Sequence, residues 1–294
     1  MALTNVATVT DQIQKKWAPV FMNELRENLL LGALVNKDYE GAIGTQGDTV
    51  RVSQLAAPAG QLRTVGVDAD VFDSDQMVWS KVDVVADKRA VASFEVAELA
   101  QIQSQLDSPA GQSEMRASLM YAVEKQLNDY LWSLTSPSTS APDHLITSQA
   151  SLDATALGSV RTLAAKAKWM KEKGWYGLLN PDYYGNLLAA QTLTSSDFIG
   201  QDQPVIGGQI VNKRFGFNLL EDNSRVSAKG LFFHPDYMHL VMQKAPQFKV
   251  SDLHSQKKFG YLISVDLVFG AKLGVDGAKK HIYVTAAASL DPTA

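Results

Sequence analysis

Five histidines, a run of aspartates and two aromatic pairs are the residues of this 294-residue chain from which chemistry could be built. There is no cysteine, so disulfides, thiolate metal sites and thiol nucleophiles are excluded. Among His144, His234, His239, His254 and His281, only His234 and His239 lie close together in sequence. A spacing of five suits neither one helix face nor one strand face, which makes them poor co-ligands. Zinc needs three or four ligands in place. His234 precedes Pro235-Asp236, which predicts a turn.

The run Asp68-Ala69-Asp70-Val71-Phe72-Asp73-Ser74-Asp75 invites a calcium reading but fails the loop template. Phe72 stands where a third oxygen ligand belongs, Asp73 where the glycine belongs, and Trp79 where the bidentate glutamate belongs. Two readings remain: an acidic patch that meets a basic surface on a neighbour, or a solvated acidic loop. Trp175-Tyr176 and Tyr183-Tyr184 could stack nucleobases, but at these spacings they are expected to pack a core. Lys257-Lys258 and Lys279-Lys280 could contact phosphate, and are expected instead to solvate strand ends. Neither a phosphate-cradling GxxxxGK[ST] nor GxGxxG, GxSxG or HExxH occurs. No catalytic, cofactor-binding or metal-ligating residue is therefore expected, and no cofactor.

Composition agrees with a folded chain. Hydrophobic residues make up 46% and charged residues 20%, ordinary for a globular chain of one or two domains. The formal net charge of −4 argues against binding nucleic acid through bulk charge. Met1–Thr10 has neither a basic region nor a long apolar run, so no signal peptide is expected. No window holds 18 apolar residues, so no membrane partner is expected.

The elements that would position these residues fall in a definite order. Ile13, Trp17, Val20, Phe21, Leu25 and Leu29–Leu31 form a helical stripe across 11–34, interrupted by Pro19. This predicts an N-terminal arm whose apolar side needs something to lie against. Thr49–Ser53 alternates like a strand, and a long strand pattern runs from Met77 through Val85 to Phe94. Together they bracket about twenty weakly apolar residues, a long projecting hairpin of a kind that cannot bury enough of itself alone. Ser108-Pro109 then starts the clearest helix, with Met115, Leu119, Val123, Leu127, Tyr130 and Leu134 on one face. At 1.5 Å per residue it is ~36 Å long, a spine. The polar run Thr135–Pro142 reads as a boundary. A helix over 153–173 capped by Gly174, a strand at Trp175–Leu179, and a short helix opened by Asn180-Pro181 follow. Further strands are expected at Ile210-Val211, Phe215–Leu220, Leu231–Phe233, Met238–Met242, Tyr261–Phe269 and Ile282–Thr285.

This order resembles the capsid fold of tailed bacteriophages, shared with encapsulins and the floor domain of herpesvirus capsids. Three stretches are similar to those phage proteins in wording as well: Leu178-Leu179-Asn180-Pro181-Asp182-Tyr183-Tyr184, Val205-Ile206-Gly207-Gly208 with Phe215-Gly216-Phe217, and Asp266-Leu267-Val268-Phe269-Gly270-Ala271-Lys272. The resemblance implies an α+β fold with an N-terminal arm (1–35) and a peripheral domain (36–140 with return strands in 250–294). It places an extended loop at about 48–95, the spine helix at about 109–134, and an axial domain at 141–249.

By the same resemblance the chain would be a major capsid protein. It would assemble as hexamers and pentamers into an icosahedral head around double-stranded DNA that it contains without reading. A portal protein and a separate scaffolding protein are implied partners, with a decoration protein a further one, and the virion, assembled in host cytoplasm, is the implied location. Residues expected between subunits are Trp17 and Phe21 of the arm, and Arg63, Asp68, Asp70, Asp73 and Asp75 of the hairpin. An encapsulin-like compartment is the alternative, and behind it an α/β enzyme built after Ala141.

Overall fold

The apolar stripe from Met115 to Leu134 becomes the spine of the molecule, helix α2 (Pro109–Thr135). The fold is taken from a computed structural model that describes residues 26–27, 29–39, 48–60, 62, 74–98, 109–135, 145–148, 151–190, 213–225 and 229–285. Leu119, Val123 and Leu131 of α2 are buried, while Glu124 and Lys125 between them stay outside the core. A one-faced stripe of this kind forms a stable helix because a sheet covers it.

That sheet has three antiparallel strands in the order β3 (Lys88–Ala97), β10 (Gly260–Leu273), β9 (Met238–Asp252). Ala90 on β3 and Val265, Leu267 and Phe269 on β10 face the spine. Asp266, between two core residues, therefore faces the other way. There Arg89 of β3 and Lys244 of β9 each donate to its carboxylate at 2.7 Å, tying all three strands together. Hydrogen bonds from Lys244 and Arg89 hold the Asp266 carboxyl below its ordinary range.

A second sheet, of six strands, runs β4-β11-β8-β5-β7-β6. Its members are β4 (Leu145–Ser148), β11 (His281–Thr285), β8 (Lys229–Phe233), β5 (Trp175–Leu179), β7 (Phe217–Glu221) and β6 (Lys213–Arg214). Helices α3 (Ala154–Lys166) and α4 (Pro181–Ala189) belong to the core on one face, where Leu157, Val160 and Tyr183 meet Trp175, Phe217, Phe232 and Ile282. Both helices start where local chemistry dictates. The Asp153 carboxylate accepts from the Ala156 amide, and the Asn180 side chain accepts from that of Tyr183, with Pro181 at the first helical position. The β6–β7 turn is the two-residue Phe215-Gly216, both with positive φ, the geometry that matches strand twist.

The other face of this sheet presents Leu178, Leu231, Phe233 and Tyr283 to the same core that holds the spine. Two sheets thus share one continuous core rather than forming two separate bodies. Strand membership also differs from the boundaries drawn at 141 and 249. β11, expected among the peripheral return strands, pairs with β4 and β8 of the six-stranded sheet. β9 runs to Asp252, well past Met242, and lies in the three-stranded sheet.

Three further expectations are corrected. The strand read from Met77 to Phe94 is two strands, β2 (Trp79–Val85) and β3, because the chain breaks at Ala86-Asp87 to pass from the hairpin into the sheet. The helix read over 153–173 ends at Lys166. Lys168 takes a left-handed φ, and Trp169 turns into the core, where its Nε1 donates to the Lys279 carbonyl at 2.7 Å. The arm expected over 11–34 is helical, within the described residues, only at α1 (Leu31–Leu34). The part of the arm from Arg26 onward docks on the chain's own spine. Arg26 donates to Glu114 at 2.6 Å and Ser118 at 2.9 Å, Lys125 donates to Glu27 at 2.8 Å, and Leu31 is fully buried. The strand expected at Ile210-Val211 and the boundary at 136–142 lie outside the described residues.

Candidate functional site

Two apolar surfaces left open by this fold form the candidate site. The first is the hairpin, β1 (Thr49–Leu55) paired antiparallel with β2 from Thr49↔Val85 to Leu55↔Trp79. Alternation puts Val50, Val52 and Val84 on one face, where they pack on Val241 of β9 and root the hairpin. The root is tight. A Cβ on Gly270 would collide with the Val85 carbonyl, so only glycine lets β10 pass so close. Lys272 donates to the Asp83 carbonyl at 3.3 Å beside it.

Away from the root the hairpin loses its support. Leu55, Met77, Val78 and Trp79 are 44%, 70%, 58% and 57% exposed. Leu55 and Trp79 are direct cross-strand partners, so they form one apolar spot on the face opposite the valine root. Below them the same face carries the Arg51–Asp83 ion pair, at 2.7 Å and open to solvent.

The second surface is a groove between the far end of the three-stranded sheet and the first turns of α2. Val96, Phe248, Val250, Tyr261 and Ile263 line it from the sheet, and Met115, Arg116 and Gln112 from the helix. Its volume is ≈ 240 Å³. Val250 is 66% exposed. From Gly270 at the hairpin root to Tyr261 in the groove is nine residues of β10, roughly 30 Å at ~3.3 Å per residue.

Of the residues expected between subunits, Trp17, Phe21, Arg63, Asp68, Asp70 and Asp73 lie outside the described residues. Asp75 is exposed, and its carboxylate accepts from the Ala59 amide, clasping the two legs of the hairpin beyond the strand ends. The groove was not read from the sequence. Its signal was present as alternating apolar residues at Phe94/Val96, Phe248/Val250 and Tyr261/Ile263. Each pair reads as ordinary core until the strands are set side by side.

The histidine pair is brought together after all, not as ligands but around Asp236. His234 Nδ1 accepts from the Asp236 amide at 3.2 Å, capping the short turn Pro235–Tyr237. His239 lies edge-on to Tyr39 with ring centroids 5.1 Å apart. Among the described residues, no group of three or more His, Cys, Asp or Glu is placed to hold a metal ion. Among them, too, no helix is long and apolar enough to cross a membrane. Trp175 and Tyr183, weighed above as stacking groups, are buried in the six-stranded core.

A spine helix on a three-stranded sheet, a projecting hairpin and a six-stranded lobe define the α+β fold of tailed-phage capsids. In particular, the chain is similar to a structure of Mycobacterium phage Che8, with a TM-score of 0.74 at 19% identity, covering 93% of this chain and 97% of that one. It is similar to the capsid structure of cyanophage P-SCSP1u, with a TM-score of 0.72 at 14% identity over 95% and 94% of the two chains. The capsid asymmetric unit of cyanophage Pam1 gives a TM-score of 0.70 at 12% identity over 95% and 98%. No protein-family profile matches the chain, and no curated protein matches it.

Proposed function

We propose that the chain is a shell subunit, the major capsid protein of a tailed phage, which self-assembles into a closed icosahedral head around double-stranded DNA. The observation that carries this reading is the pair of apolar surfaces, without a partner among the described residues, at opposite ends of β10. Among the described residues the hairpin meets the body at its root, so its Leu55–Trp79 spot stands clear of the groove roughly 30 Å away. A second copy can bring the two together. Contact between different surfaces of identical subunits is heterologous, and such contacts close into rings when the rotation permits.

Charge favours the same occupant. The hairpin loop carries Asp68, Asp70, Asp73 and Asp75 against one Arg63, and the groove carries Arg116. In this reading Trp17 and Phe21 of the arm reach a neighbouring copy as well, and residues 26–35 anchor the arm to its own spine. The six-stranded lobe serves as the axial part and the three-stranded sheet with the hairpin as the peripheral part. A portal, a separate scaffolding protein and a decoration protein are the other partners of such a head. The head forms in the host cytoplasm and its place is the virion. A shell role requires no catalysis, which suits a chain whose polar clusters are structural.

Electron microscopy of two variants tests the reading. Deleting Leu55–Asp75 should leave a folded protein that forms no closed shells, and so should the milder pair Met77→Ser and Trp79→Ser. Normal shells from both would sink the proposal. The contents of wild-type particles separate a phage head from a cargo compartment: DNA with a portal vertex for the first, a specific protein cargo for the second.

A further inference from the structure

We propose that the junction around Asp236 is an acid-operated latch, which holds the segment Asn36–Tyr39 to the body when His234 and His239 are neutral and frees it when both are protonated. The segment that follows the arm and the root of the hairpin meet here. The arm ends at Asn36, and the hairpin root contributes Val52, Ser53 and Gln54 to the wall of a polar cavity of ≈ 230 Å³. Asp38, Lys173, Asp236, His239 and Lys280 also face that cavity.

Asn36 is the clasp, and it uses every polar atom it can spare. Its carbonyl accepts from the Leu240 amide at 3.0 Å. Its side-chain oxygen accepts from the Asp38 amide at 2.8 Å. Its side-chain nitrogen donates to Asp236 Oδ1 at 2.8 Å. Lys173 also donates to Asp236, at 2.8 and 3.0 Å. The carboxylate is thus already engaged by Asn36 and Lys173 when both histidines are neutral.

The histidines are poorly placed to carry charge. Each residue is 5% exposed. His234 Nε2 and His239 Nδ1 are buried without a hydrogen-bond partner among the described residues. Burial lowers the pKa of both rings, and Lys280 and Lys173 add to that, while Asp236 opposes it. The charged and titratable groups around them are Asp38 and Tyr39 from the segment after the arm, Lys173 before β5, Asp236, Lys280 before β11, and Lys272, the cross-strand partner of His239. The hairpin root adds no titratable group. Three lysines already face two carboxylates, and two more protons make the imbalance larger.

Protonation breaks specific bonds. A protonated His234 Nδ1 can no longer accept from the Asp236 amide, so the cap is lost. Its new N–H competes for the Asp236 carboxylate, whose Oδ2 is already 3.9 Å away. Lys173 spans both carboxylate oxygens and stays, whereas Asn36, the neutral partner on Oδ1 alone, is displaced as the carboxylate turns toward the new charge. With it goes the tether of the segment that leads into the hairpin.

Hydrogen–deuterium exchange on the whole purified chain tests this, at about pH 7.5 and about pH 5.0 with intrinsic rates removed. Protection at Asp38 and Leu240 should fall about tenfold or more on acidification, the effect of roughly one pKa unit. Protection in α2 should hold. The double variant His234→Asn, His239→Gln keeps a capping oxygen and a neutral amide, and should keep its protection at both pH values. Unchanged wild-type protection, or an equal loss in the double variant, overturns the latch. If the double variant does not fold, proton NMR of the wild-type imidazoles decides. Two rings titrating well below pH 6.5 together with the exchange change support the latch, and rings titrating at the ordinary value overturn it. The readout needs no shell, so a failed latch leaves the shell reading standing, and a failed shell leaves the latch standing.

Discussion

The six-stranded lobe and the three-stranded sheet with its hairpin are made of similar residues but finish differently. In the first, helices α3 and α4 cover one face and the core shared with the three-stranded sheet and spine backs the other, so Leu178, Leu179, Phe217, Phe232 and Tyr183 are fully buried. In the second, Phe94, Phe248, Val250, Tyr261 and Trp79 remain open. Apolar residues on a solitary subunit's surface are normal one by one. Here they are gathered on a hairpin and a groove, the kind of exposed patch from which the shell reading is argued. The closed lobe buries its apolar residues within the chain, and the open region leaves them for the second copy proposed above.

That contrast can be broken at either end. Phe232→Ala cuts into the closed core and should cost about 3–5 kcal/mol, read as a lower denaturant midpoint. A small loss would mean that the lobe repacks and is less closed than its burial suggests.

Asp266 sits between the two extremes, on the outer face of the three-stranded sheet. Its lowered pKa means that its pairing with Lys244 and Arg89 contributes stability above its ordinary pKa of 3.8. That contribution is lost as pH falls from there through the lowered value. Wild type should therefore melt higher than Asp266→Asn at neutral pH, and the gap should close in acid. A gap that does not change with pH would show that the ion pairs do not hold the strands.

Asp153→Ala removes only the cap of α3 and should cost ~1 kcal/mol in thermal melts. The smallest effect on the single chain is expected in the open region. Phe248→Ser with Val250→Ser should change the unfolding free energy by about 0.5 kcal/mol or less, because water already covers much of both side chains. The same pair should abolish shells in electron micrographs. A large loss of monomer stability would make the groove part of the chain's own core and erase the contrast.

Much of the framework was legible before any coordinates. The spine was readable because six apolar positions at helical spacing leave a 27-residue helix little alternative. The start of α4 was readable because Asn180-Pro181 is a cap and a first turn in two residues. The hairpin's root was readable from β-branched alternation. The end of α3 was not. Helical propensity continues past Lys166, but Trp169 gains more by turning into the core, against Trp175 at 5.6 Å between centroids, than by staying on the helix. Nor was the break at Ala86-Asp87, since nothing local distinguishes one long strand from two that join different sheets.

What the sequence determined by itself is local: the periodicities, caps and turns that name each element, and the absence of cysteine that excludes whole chemistries. What only the tertiary structure decided is adjacency. β11 joins the six-stranded sheet although β10, the strand before it in sequence, belongs to the other. Arg89, Lys244 and Asp266 meet across three strands. His234, His239, Asn36 and Lys173 converge on Asp236 from distant parts of the chain. Spacing within an element is set by backbone geometry a few residues long, and is written in the sequence. Which elements lie side by side depends on the best common burial of all of them at once, and that is settled only when the chain is folded.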